Sequence, residues 1–210
     1  MTATLSLSEV ESTALKAARG AGMTWGMAEE AAFATRWLAE HGLDGLTLLA
    51  HHLGRTTTPP RFHNHCWQPA TGSTLCPIAA GTAIADHFHL PEGPMTHPLD
   101  LLDLSTPALI LPFLAAAAAR SDTAVIATWP GCTAVLASGT LLAVAGRDHL
   151  LTDHAKTVTV TAAATLPKTH SKTTITAPTA HLLQALVQRT YVPASAQSRR
   201  GAGASGTDNS

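Results

Sequence analysis

The stretch Thr123–Ala145, TAVIATWPGCTAVLASGTLLAVA, decides the fold class. Three short apolar runs, Thr123–Thr128, Thr133–Ala137 and Leu141–Ala145, are separated by the turn-forming pairs Pro130-Gly131 and Ser138-Gly139. That pattern predicts an antiparallel meander. Thr157–Thr161, in which Val158 and Val160 alternate with threonines, and Thr173–Thr176 add two further strands. The spacing then predicts a closing helix over about residues 179–189.

Upstream the period changes to that of a helix. Ser6 to Glu9 and Ser8 to Glu11 both fit a capping box, in which side chains at a helix start satisfy each other's orphan N–H groups. A first helix therefore runs from about Leu7 to Arg19, ended by Gly20 and Gly22. Thr24 caps a second, where Met27, Ala31, Ala34 and Leu38 form an apolar stripe that stops at Gly42. Asp44 caps a third, through Leu46, Leu49 and His52 to Gly54. From Arg55 to Thr74 no period survives, and Thr, Pro, His and Asn dominate a segment longer than ordinary connections, which predicts a loop, functional or loose. A helix follows Cys76, then a turn at Leu90-Pro91-Glu92-Gly93-Pro94 and another helix from about Pro107 to Arg120. The expected fold is α+β: an N-terminal helical half, an antiparallel sheet of about four or five strands, and a C-terminal helix. Residues 1–194 are read as one domain and 195–210 as a Gly/Ser/Arg-rich tail.

Composition bounds the function. A chain of 210 residues with 45% hydrophobic content supports one substantial core. With 13 basic and 14 acidic residues there is no charge excess to hold nucleic acid or an anionic membrane. The start, Met1-Thr2-Ala3-Thr4-Leu5, lacks the basic and apolar regions of a signal peptide. The apolar run Pro107–Ala119 contains a proline and falls short of the roughly 20 residues that span a bilayer. A cytoplasmic protein is expected. Cys66, Cys76 and Cys132 are odd in number and form no tight pair, so reduced thiols are expected.

Cys76 is the first candidate for chemistry. Pro77 suits the first helical position, where its missing N–H costs nothing, which makes Cys76 the cap. A thiol there faces free backbone N–H groups and the positive end of the helix dipole, both of which favour the thiolate. A nucleophilic role needs a base within about 3 Å, and His63, His65 or Asp44 are open possibilities. The competing reading is a small buried residue that caps a helix.

Histidine is the second signal, with 12 in the chain. His63-Asn64-His65-Cys66 and His87-Phe88-His89 are the tight groups. On an extended segment His63 and His65 face the same way, and His87, His89 or Cys76 could complete a divalent-metal site. The spacing matches no standard zinc module, so no cofactor is expected and metal is the minor reading. Glu30 lies between Trp37 and the Ala34 stripe, where partial burial raises its pKa and suits it to proton transfer. Its neighbour Glu29 falls towards Arg36, and Glu30 itself could pair with Arg19 or Lys16. In the tail, Arg199 and Arg200 beside glycines and hydroxyls could hold a carboxylate or phosphate.

Ser6-Leu7-Ser8-Glu9-Val10-Glu11, Ala17-Ala18-Arg19-Gly20-Ala21-Gly22, Trp25-Gly26-Met27-Ala28-Glu29-Glu30-Ala31, Arg36-Trp37-Leu38, Cys76-Pro77-Ile78-Ala79-Ala80-Gly81 and Thr190-Tyr191-Val192-Pro193-Ala194-Ser195 together resemble a bacterial family known as domain of unknown function 3726. The resemblance names no reaction. It implies that the Trp-Gly-x-Ala-Glu-Glu, Cys-Pro and C-terminal segments are family hallmarks; the ligand-binding candidates within these segments are Trp25, Glu29, Arg199, Arg200 and Asp208. A weaker likeness, over residues 5–46 only, is to the malate and sulfolactate dehydrogenases that lack a Rossmann fold. Their Gly-Ile-Asp is followed by Ser-His-Gly, whose histidine is catalytic, whereas this chain has Gly45-Leu46-Thr47 after Gly42-Leu43-Asp44. Hydride transfer is not assigned.

The expectation is a binder of a small, anionic metabolite, acting as an accessory subunit of a metabolic pathway. The alternatives are a small enzyme with Cys76 and Glu30 as its catalytic pair, or a His/Cys metal-binding protein. A protein partner or a homo-oligomer is compatible with either. An enzyme predicts that Cys76, Glu30 and the Arg199 or Arg200 region converge on one pocket.

Overall fold

The computed structural model describes residues 4–70, 72–163 and 176–188. They fall into two units, residues 1–167 and 168–210.

The first unit opens with the three helices read from the sequence: α1 (Leu7–Gly20), α2 (Trp25–Glu40) and α3 (Gly45–Leu53). The capping box forms, with the Ser6 amide donating to the Glu9 carboxylate at 2.8 Å and the Glu9 amide to the Ser6 hydroxyl at 3.3 Å. Those contacts hold the Glu9 carboxyl below its ordinary pKa. Asp44 caps α3 by accepting from the Thr47 amide at 3.1 Å. Ala31, Ala34 and Leu38 of the α2 stripe are fully buried and Met27 packs on their margin.

The segment 55–74 is not a loop. It holds four short strands: β1 (Thr57–Thr58), β2 (Arg61–His63), β3 (Cys66–Gln68) and β4 (Thr74–Leu75). Strands of two or three residues carry no readable alternation, and β2 is exposed along its whole length. Their order comes instead from a strand that the sequence reading passed over, β5 (Leu99–Ser105), against which Trp67 pairs with Leu101 and Leu75 with Leu104. In β5 the alternation of leucine and aspartate breaks at Leu102, and the φ of 50° at the next residue, Asp103, disrupts the strand period.

Beyond β4 comes α4 (Pro77–His87), and beyond β5 a 3-10 turn (Pro107–Ile110) leads into α5 (Leu111–Ser121). The meander forms as read: β6 (Val125–Trp129), β7 (Cys132–Ala137) and β8 (Thr140–Ala145), with β9 (His154–Ala162) completing the set. Among the described residues the sheet is larger than expected, nine strands with the main order β1-β4-β5-β9-β6-β7-β8 and the β2–β3 hairpin beside β5. It is also mixed, because β1–β4, β4–β5 and β3–β5 are parallel whereas the remaining pairs are antiparallel. The parallel half arises because α4 carries the chain from β4 back to β5, a crossover that antiparallel hairpins do not need.

The buried residues Leu101, Val125, Ala127, Trp129, Ala134, Leu136, Val158 and Val160 join the apolar sides of α2, α4 and α5 in one core. Two tight approaches shape it. A Cβ on Gly81 of α4 would lie 2.2 Å from the Phe113 ring of α5. Trp37 of α2 donates its indole N–H to the Gly139 carbonyl of the β7–β8 turn at 3.0 Å.

The second unit is described through α6 (Ala177–Gln188), close to the helix expected there. Residues 173–175 of the expected strand Thr173–Thr176 lie outside the described residues, and Thr176 immediately precedes α6. Among the described residues no helix is long and apolar enough to cross a membrane.

Candidate functional site

Three helices meet around an open cleft of about 720 Å³. From α2 come Glu29, Glu30 and Phe33, from α4 Thr82, Ala85 and Asp86, and from α5 Phe113, Ala116 and Arg120. The i, i+1, i+4 spacing on α2 and the i, i+3, i+4 spacing on α4 turn these side chains to one side of each helix. Gly81 lets α5 come close enough for Phe113 to line the cleft, where its ring meets Phe33 edge-on at 5.7 Å.

The cleft is charged. Partial burial pushes the Glu30 carboxyl above its ordinary pKa, and the nearby charges of Asp86 and Glu29 push it the same way. The upward shift agrees with the sequence reading, but its source does not lie with the core alone, because Asp86 of α4 contributes. Arg120 donates to the Ala85 carbonyl at 3.3 Å, and among the described residues it forms no ion pair. Three carboxylates and a guanidinium thus line one cleft, and among the described residues that guanidinium has no carboxylate partner.

Around its rim the partners differ from those expected. Glu29 accepts from the indole N–H of Trp25 at 2.8 Å, so these two candidates do stand together. Arg36 turns away from Glu29 and bridges Glu11 at 2.6 Å and Glu40 at 2.9 Å. Arg19 donates to the Met23 carbonyl and lies over the Trp25 ring, not beside Glu30.

Cys76 caps α4 with Pro77 at its first position, as read. The expected activation does not follow. Cys76 is only 7% exposed, and burial pushes its thiol above the ordinary range although the Ile78 and Ala79 amides and the Thr57 hydroxyl pull the other way. Desolvation outweighs the helix terminus. Its nearest base is not His63, His65 or Asp44 but His52, whose Nε2 lies 3.7 Å from Sγ. His52 was visible in the sequence as the third member of the Leu46, Leu49, His52 stripe, which places it on the core side of α3. It is 1% exposed, and burial together with the charge of Arg55 pushes its pKa down to about 4. Cys76 and Glu30 do not share a pocket. Asp86, the α4 neighbour of Glu30, lies ten residues after Cys76, roughly 15 Å along the helix axis.

The histidines scatter. His63 and His65 flank Asn64, whose φ of 52° marks the turn of the β2–β3 hairpin, so they do not lie on one extended segment. The His65 ring lies tilted against that of His97 at 4.6 Å, His87 packs against Phe62 at 5.0 Å, and His89 against Phe88 at 5.4 Å. Among the described residues no three His, Cys, Asp or Glu side chains are placed to hold a metal ion. The tail candidates Arg199, Arg200 and Asp208 lie outside the described residues.

No curated protein and no solved structure matches this chain. The likeness of residues 5–46 to the malate and sulfolactate dehydrogenases gains no support. Residues 5–83, the stretch that carries α1 to α3, His52, Cys76 and the first half of α4, match the family described as Protein of unknown function (DUF3726).

Proposed function

We propose that the protein binds a small charged metabolite in the cleft between α2, α4 and α5, as an accessory component of a metabolic pathway. The observation that carries this reading is the coexistence of Arg120, which forms no ion pair among the described residues, with Glu29, Glu30 and Asp86 on one cleft beside two phenylalanine rings. A ligand with only negative charge would meet the guanidinium favourably and the carboxylates unfavourably. A molecule that carries both a carboxylate and an ammonium group satisfies both signs, with the aromatic rings available to its apolar part or its cation. The anionic ligand expected from the sequence is thereby narrowed to an amino-acid-like zwitterion.

Titration calorimetry of the full chain against amino acids, dicarboxylates and diamines tests the reading. Amino acids should bind, Arg120→Ala should weaken them, and Glu30→Gln should weaken them through the ammonium group. Binding of dicarboxylates alone, or binding that neither substitution changes, overturns it.

A second reading rests on the raised pKa of Glu30. A carboxyl that keeps its proton closer to neutral pH is a proton donor in the cleft, so a small acid-base enzyme working there without Cys76 is the alternative. Turnover of a bound amino acid that Glu30→Gln abolishes without loss of binding would favour it.

A further inference from the structure

The cleft between α2, α4 and α5 changes character along its length. The rings of Phe33 and Phe113 meet at 5.7 Å, and Phe113 lies against position 81 of α4, so these residues stand at one level. Arg120 donates to the Ala85 carbonyl at 3.3 Å, which sets it about 6 Å further along α4 than the ring contact at Gly81. Asp86 follows Ala85 directly, and its charge acts on the Glu30 carboxyl. Glu30 precedes Phe33 on α2, so α2 runs opposite to α4 and brings its carboxylate to the level of Asp86 and Arg120. Glu29 lies one residue further from the rings and accepts from the Trp25 indole at 2.8 Å. At the level of the rings the lining is Phe33, Phe113, Ala116 and Thr82, and the Thr82 hydroxyl donates back to the Ile78 carbonyl at 2.7 Å. One end of the cleft thus carries charges of both signs, whereas the other is apolar.

Resting on the zwitterion reading above, we infer that the ligand is an α-amino acid with an apolar side chain, its two charged groups held by Arg120, Glu30 and Asp86 and its side chain laid against Phe33 and Phe113. The guanidinium is anchored on the carbonyl of the residue just before Asp86, so the group that takes a carboxylate and a group that takes an ammonium stand side by side. A ligand meets both only when its own charges are adjacent, as on the single carbon of an α-amino acid. An ammonium between Glu30 and Asp86 also relieves the repulsion of one carboxylate by the other. The rest of the ligand then points along α4 towards the rings. An alkyl or aromatic side chain gains there by leaving water. A second ammonium there loses its water and finds no carboxylate opposite.

Calorimetric titration of the full chain with four matched probes tests the assignment. Norleucine has the required form, alanine shortens its side chain, lysine adds a terminal ammonium, and ε-aminocaproate is its isomer with the amine moved to the far end. Norleucine should bind about tenfold or more tightly than each of the other three. Phe33→Ala should bring norleucine down to the level of alanine and leave alanine as it was. Phe33 is 37% exposed, and the probe series on the parent chain decides the matter even where that variant fails to fold. Lysine, alanine or ε-aminocaproate binding as tightly as norleucine overturns the assignment and leaves the zwitterion reading in place. Binding of none of the four overturns both.

Discussion

The Phe113 ring occupies the space that a side chain at position 81 would fill, with its Cδ2 2.2 Å from where a Cβ on Gly81 would stand. The absence of one methyl group on α4 thus sets how closely α5 approaches and shapes the wall of the main cleft. Gly81→Ala should destabilise the protein by about 1–3 kcal/mol through overpacking, read as a shift in the denaturant midpoint. Combining it with Phe113→Leu should recover part of that loss, because the two positions share one space. Additive losses in the double variant would show that the contact is not what limits the approach.

His52 gives the molecule an acid-sensitive core. Its folded pKa is pushed down to about 4 from an ordinary 6.5, so the unfolded chain takes up a proton first as pH falls. Stability from this group is complete above about pH 6.5 and is lost progressively between about 6.5 and 4, on the order of 3 kcal/mol in all. NMR titration of the His52 ring should give a midpoint near 4. A midpoint above 6 would show the ring to be solvated.

Glu30 acts in the opposite direction. Its folded pKa is raised, so its contribution is fully present below its unfolded value, near 4.5, and falls as pH rises through the folded value. Glu30→Gln removes the charge that burial, Asp86 and Glu29 disfavour. The variant should therefore melt higher than the parent at pH 7 and level with it at pH 4. Equal melting at both pH values would mean that the carboxylate is relieved by solvent.

The end of α2 clamps the meander through Trp37. Besides its bond to Gly139, its ring stacks on His41 at 3.8 Å, and His41 in turn meets the Thr140 hydroxyl at 3.0 Å. Trp37→Phe keeps most of the apolar volume and loses the indole bond, with an expected cost of about 1 kcal/mol. Urea unfolding should show it.

The turn that Trp37 holds has Ser138 and Gly139 both at positive φ, 51° and 82°. Two residues of that sign belong to the tight hairpin in which Asn-Gly is preferred. Ser138→Asn should stabilise by a few tenths of a kcal/mol, roughly, because asparagine tolerates this backbone better than serine. A loss of stability would mean that the serine serves the turn through its own side chain.

Local chemistry determined α1 to α3, the start of α4 and the β6–β7–β8 meander. The Ser6–Glu9 box, Asp44 before Gly45, Pro77 after Cys76, and the Pro130-Gly131 and Ser138-Gly139 turns each act within a few residues of chain. Whatever depends on partners far along the chain was decided by tertiary structure. The strands β1 to β4 are too short to show a period and become strands by pairing, β3 and β4 with β5, β2 with β3 and β1 with β4, while β5 conceals its own alternation behind the irregular backbone at Asp103. The same distance separates the candidate sites from their sequence. Glu30 could be read as half-buried from its own helix, but Asp86 and Arg120 reach its cleft from two other helices, α4 and α5. Cys76 could be read as a cap, and its neighbour His52 as a core position, yet their 3.7 Å contact joins residues from different helices. The sign of the Cys76 shift was settled last. The helix amides that favour a thiolate are local, whereas the burial that outweighs them belongs to the whole fold.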